Sequence, residues 1–132
     1  MNKKRWLTAV ALVLLSVQCH FESRNQGEQL YSIYCQNCHG SEGEGLRQLI
    51  PPLAGADFLQ QHQENLPCII MYGMDGEILV NEKRYNQPMP PNPDLEPIEV
   101  ANIINYINSA WGNDFGFVPL SEVERQLKNC RE

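Results

Sequence analysis

Apolar side chains recur at helical spacing in several short segments of this chain, separated by polar stretches rich in glycine and proline. Over 27–34, Leu30, Tyr31 and Tyr34 fall on one side of a helix. Over 57–65 a short polar helix turns Phe58 and Leu59 inward and His62 outward. Asn65 can cap the next helix, which has Pro67 in its first turn, Gly73 just past its end and Ile69, Ile70 and Tyr72 as its apolar face; Met71 belongs to core or rim. The strongest stripe, Val100, Ile103, Ile104, Ile107 and Trp111, predicts a long buried helix over 97–110. Ser121-Glu122-Val123-Glu124 has capping-box spacing and opens a tail helix that reaches Cys130. One segment reads as strand. Ile78-Leu79-Val80 is joined by Asn81-Glu82 to Lys83-Arg84-Tyr85 as a tiny hairpin, with Glu82 where glycine would be favoured. The pattern predicts an all-α fold of about four to five short helices, plus that hairpin.

The first twenty residues follow a different rule. Lys3, Lys4 and Arg5 precede an apolar run from Trp6 to Val17, which is the anatomy of an export signal and too short to span a bilayer. Residues 1–18 are therefore expected to be a signal peptide and 19–26 a polar tether. Residues 27–132 then form one domain, the number that 132 residues predict. Leu15-Ser16-Val17-Gln18-Cys19 resembles a bacterial lipoprotein signal, whose cysteine is lipidated and becomes the mature N-terminus. A soluble exported protein cut nearby is the other outcome of the same grammar. Either way the expected location is outside the cytoplasm: periplasmic, or tethered to the membrane by lipid on the extracytoplasmic side.

Charge changes the picture of partners. Removing 1–18 takes away three of ten basic side chains and none of the sixteen acidic ones, leaving seven against sixteen, a net of −9. Such a surface is unsuited to nucleic acid or anionic headgroups and complements a basic patch on a protein.

Five cysteines carry the candidate chemistry. Cys35-Gln36-Asn37-Cys38-His39 is C-x-x-C-H, the spacing at which two thiols form thioethers to a c-type haem and the adjacent imidazole becomes the proximal iron ligand. A zinc site would need a second close ligand pair, which the isolated Cys19, Cys68, Cys130 and His62 do not provide. A thioredoxin-like pair should follow a buried strand, whereas the residues before Cys35 are helical in period. Cys68 and Cys130 are left over once haem and lipid take the others, and in an oxidising compartment they are expected to pair. Met89 lies between prolines in the polar, non-periodic segment Asn86-Gln87-Pro88-Met89-Pro90-Pro91, where a buried filler is out of place and a soft thioether ligand for haem iron is not. Met74 is its rival.

With these residues in view, 27–111 resembles a class I c-type cytochrome, a small all-α fold around one haem. Cys-x-x-Cys-His-Gly, a glycine-rich loop over 40–45, Pro-x-Leu-x-Gly, a ligand methionine and a closing helix near Tyr106 occur in that family's order. The resemblance implies that Pro51, twelve residues after His39, offers its carbonyl to the proximal ring. It also implies that Met89, seventeen residues before Tyr106, is the distal ligand. The closing helix should cross the first one, with Gly27 and Tyr31 meeting Ile103 and Tyr106. Tyr85, Arg84 and Asn86 are near enough in sequence to serve the haem propionates.

The expected function is electron carriage through one covalent haem c with His39 and Met89 as axial ligands to its iron. The redox partners implied are a quinol-oxidising complex upstream and a terminal oxidase or reductase downstream. If Met89 does not ligate, the site would instead be five-coordinate, as in a gas sensor or a peroxidase-like enzyme.

Overall fold

Helix α5 (Pro97–Ser109) is the element on which the others are assembled. In the computed structural model, which describes residues 25–130, its buried residues include the expected Val100, Ile103, Ile104 and Ile107. They also include Ala101, Asn102, Tyr106 and Asn108. A helix buried this far round has neighbours on several sides. Its start is fixed by Pro97 in the first turn and by Glu96, whose N–H donates to the Glu99 carboxylate at 2.8 Å. Trp111 falls beyond its end at φ 52°, and the Trp111 ring packs 5.0 Å from that of Tyr31 and 5.5 Å from that of Tyr106.

Helix α1 covers residues 25–34. Asn25 and Gln26 are thus helix and not tether, and Gln26 accepts a hydrogen bond from Asn102 Nδ2 at 3.2 Å. Gly27 and Tyr31 form its buried line, Leu30 is half-buried, and Tyr34 is exposed instead of inward. A Cβ on Gly27 would strike the Asn102 carbonyl and come within 2.8 Å of Tyr106 Cβ, so α1 and α5 touch backbone to backbone. Asn102, where Ile103 was expected, faces Gly27. Ile103 lines the cavity described below.

The middle of the chain is more broken than its pattern suggested. After α2 (Gln36–His39) come α3 (Asp57–Gln61), a 3-10 turn (Gln63–Asn65) and α4 (Leu66–Tyr72). The single helix expected over 57–65 is interrupted at His62, whose ring lies half-buried 4.2 Å from that of Phe58. Asn65 sits at the N-cap of α4 without a side-chain cap bond. Leu66, Pro67 and Ile70 are the buried side of α4, and Tyr72 is exposed. Strands β1 (Ile78–Val80) and β2 (Lys83–Tyr85) pair antiparallel, with Ile78 opposite Tyr85. Asn81 and Glu82 both take positive φ, 48° and 64°, as a two-residue turn of the primed type needs. Asn81 also exchanges two hydrogen bonds with Asp57, at 2.7 and 3.1 Å, which fasten the turn to α3.

Helix α6 (Leu120–Asn129) has Pro119 as its N-cap, so the expected Ser121–Glu124 capping box does not form; Glu122 bonds Arg125 and Gln126 instead. Val123 is wholly buried against the common core, and α6 packs on α5 and α4. Six helices thus appear among the described residues, because the motif helix α2 is separate from α1 and a 3-10 turn divides α3 from α4. The expected signal peptide and Cys19 lie outside the described residues. No described helix is long and apolar enough to cross a membrane.

Candidate functional site

Backbone bonds wind the cysteine motif into a tight turn. The Cys35 carbonyl accepts from the N–H groups of Cys38 at 3.1 Å and His39 at 2.9 Å, and α2 stops at Gly40, φ 83°. Cys35 is half-buried and Cys38 exposed. Burial, with Cys38 beside it, pushes the Cys35 thiol up to about 12, so before any bond is made to it the sulfur is a neutral thiol.

His39 Nδ1 lies 3.1 Å from the Pro51 carbonyl. A carbonyl only accepts, so Nδ1 carries the hydrogen and Nε2 keeps its lone pair for a metal. Burial holds this imidazole below its usual range, partly offset by the Pro51 bond, and the neutral ring is the form that ligates. The intervening loop is pinned in place. Gly45 N–H donates to His39 O at 2.7 Å, and the Gly43 carbonyl accepts from Leu53 and Ala54 at 2.7 and 2.9 Å. From outside the loop, Tyr31 Oη donates to Gly40 O at 2.6 Å and Trp111 Nε1 to Ser41 O at 3.1 Å.

The methionines come from another part of the chain. Met74 and Met89 form an isolated antiparallel bridge, exchanging N–H to carbonyl bonds of 3.0 and 2.8 Å. The loop after Met89 is fastened to the end of α4, where the Ile70 carbonyl accepts from Asn92 N at 3.1 Å and from Asn92 Nδ2 at 3.3 Å. Gly73 is in positive φ, 76°, and a Cβ there would stand 2.5 Å from the Met89 carbonyl.

Both segments open on one apolar cavity, lined by Cys35, His39, Pro51, Met74, Met89 and Ile103 with other aliphatic and aromatic residues. A second hollow shares His39, Pro51, Met74, Ile78 and Met89 and reaches the surface past Cys38, Leu49, Tyr85 and Gln87. The donor set fits a flat apolar macrocycle with a central iron: two thiols, one imidazole with a ring nitrogen to spare, thioethers and apolar walls. Among the described residues, no group of three or more His, Cys, Asp or Glu could hold a bare metal ion.

The structure therefore brings Cys35, Cys38, His39, Pro51 and Met89 to one site. Tyr85, almost wholly buried, lines its outer part. Arg84 and Asn86 line neither hollow; the Arg84 guanidinium pairs with Glu77 at 2.8 Å on the surface. Cys68 and Cys130 are joined elsewhere, Cα to Cα 5.6 Å, tying α6 to α4. Asn92 had no signal in the sequence and Gly73 was legible only as a helix stop, since their contacts with Ile70 and Met89 depend on where the chain returns rather than on a motif.

The family model described as Cytochrome c matches residues 25–111. Cytochrome c-552 of Thermus thermophilus is 34% identical over 105 residues, covering 74% of this chain and 79% of that protein. A second cytochrome c-552, from a named strain of the same organism, is also 34% identical over 105 residues and is covered over 70% of its length. The cytochrome c subunit of the quinone alcohol dehydrogenase of Gluconobacter oxydans (strain 621H) is 28% identical over 106 residues, 76% of this chain but 22% of that subunit.

Proposed function

The chain belongs to the cytochrome c family and so carries a covalently bound haem c with its iron, and from this premise we propose that it is a one-electron carrier with His39 and Met89 as axial ligands. Electron transfer is the activity of the family. When bound, the haem supplies a single Fe(III)/Fe(II) couple.

The protein's part is to hold and insulate. Cys35 and Cys38 anchor the macrocycle by thioethers. The Pro51 carbonyl keeps His39 in the tautomer whose Nε2 would be free to hold the iron. Met89 supplies a soft sulfur, which raises the potential relative to two imidazoles. The aliphatic walls keep water away, and filling both axial positions leaves no room for a substrate. The carrying observation is that His39 and Met89, fifty residues apart in sequence, line the same apolar cavity.

Electrons pass at the outer hollow, where a partner docks weakly and briefly. The partners proposed are a quinol-oxidising complex upstream and a terminal oxidase or reductase downstream; the kinship with the cytochrome c subunit of an alcohol dehydrogenase (quinone) supports redox proteins as partners in general. The proposed location is outside the cytoplasm, with Cys19 as the point of lipid attachment. The leader grammar of 1–18 and the joined Cys68 and Cys130 support an oxidising compartment.

Voltammetry of the haem-loaded protein tests the reading. It should give one reversible one-electron wave, unchanged by added peroxide. A catalytic peroxide current, or no wave, would overturn it.

A further inference from the structure

Two methionines, Met74 and Met89, line the cavity with His39, and the proposed function uses one. Met74 and Met89 exchange both backbone hydrogen bonds. Residues so paired stand about 5.5 Å apart at Cα and project their side chains from the same face. Both side chains accordingly line the inner cavity and the outer hollow together with His39. Met71, by contrast, three residues earlier on α4, lines neither.

A methionine side chain has three rotatable bonds and no branch, so its sulfur sweeps a volume several ångströms across at small cost. Two thioethers rooted this close together can reach a common point. Met74 is half-buried, and the inner cavity that it lines is walled chiefly by aliphatic side chains.

We propose that Met74 is a second thioether ligand for the iron, taking the axial position whenever Met89 is removed from it. This rests on the reading that Met89 is the resident ligand. The exchange is a simple substitution: the Met89 sulfur withdraws its lone pair, the Met74 sulfur donates one, and no proton or electron changes hands. Its consequence is that loss of Met89 does not open the site to small exogenous ligands.

The test uses haem-loaded protein labelled with ¹³C at the methionine methyls, in the diamagnetic ferrous state, where a methyl held over the macrocycle is shifted far upfield by the ring current. Wild type should show one such methyl. Met89→Leu, a substitution that conserves volume, should still show one, at a changed shift, and M74L/M89L none. Carbon monoxide should bind the double variant at least tenfold more tightly than it binds M89L. M89A is read in the same way should M89L not fold.

An M89L protein with no upfield methyl, and with carbon monoxide affinity equal to that of the double variant, would overturn the proposal while leaving the wild-type assignment of Met89 intact. An upfield methyl in wild type that is lost in M74L and kept in M89L would overturn both.

Discussion

Gly73 shows how much one missing Cβ can decide. Its φ of 76° with ψ near 180° is a conformation reserved for glycine, and its backbone lies where the carbonyl of Met89 returns. Gly73→Ala should therefore cost about 1–3 kcal/mol of stability in denaturant titration. It should also weaken the far-red ferric band that marks methionine on iron, because the new methyl pushes the Met89 strand away. An unchanged band in a destabilised protein would show that Gly73 shapes α4 alone. At this scale the sequence was legible wherever chemistry dictates spacing: Cys35, Cys38 and His39 could be read directly, and Pro51 and Met89 through resemblance. It gave Gly73 only as a helix stop and was silent on Asn92, since the contacts of both reach residues sixteen to twenty-two positions away.

The elements are held by packing and by a set of buried amides. Asn108 Nδ2 donates to Gln63 Oε1 at 2.7 Å and to Gly116 O at 3.1 Å, and Asn108 Oδ1 accepts from Gln63 Nε2 at 3.1 Å, which joins α5 to the 3-10 turn and to the loop before α6. Asn108→Ala would remove both bonds to Gln63, which keeps its bond to the Leu59 carbonyl, and the bond to the Gly116 carbonyl, at an expected cost of about 1–2 kcal/mol. A loss below roughly half a kcal/mol in the same titration would mean that the loop repacks freely. The Cys68–Cys130 bond spans 62 positions and closes α6 onto α4. In the entropic account of such bonds, the paired change to serine should lower stability by about 2–4 kcal/mol. An unchanged denaturation midpoint would contradict that.

The helix periodicity of α5 and the hairpin were legible in the sequence. The break at His62 and the early start of α6 were not, because the tilted contact of the His62 and Phe58 rings and the burial of Val123 are tertiary and leave no local signal.

Over the whole molecule, an acidic surface surrounds an apolar interior made for one large cofactor. With 1–18 removed the formal charge is −9, from seven basic and sixteen acidic side chains. Electron transfer to a basic redox partner should slow on the order of tenfold between ~0.01 M and ~0.15 M salt, as the screening length falls from about 30 to about 8 Å. A rate that rises with salt in stopped-flow mixing would exclude a basic docking patch. The tail lies beyond the family match yet shares the core through Val123, a fold-back that sequence suggested only through Cys68 and Cys130.

The central claim is an iron held by His39 nitrogen and Met89 sulfur in a haem bonded to the chain. The visible spectrum of the haem-loaded protein in both redox states tests it most directly. The account predicts a far-red ferric band that vanishes on reduction, returns on reoxidation and is altered in M89L. A five-coordinate, high-spin spectrum without that band in the wild type would contradict it.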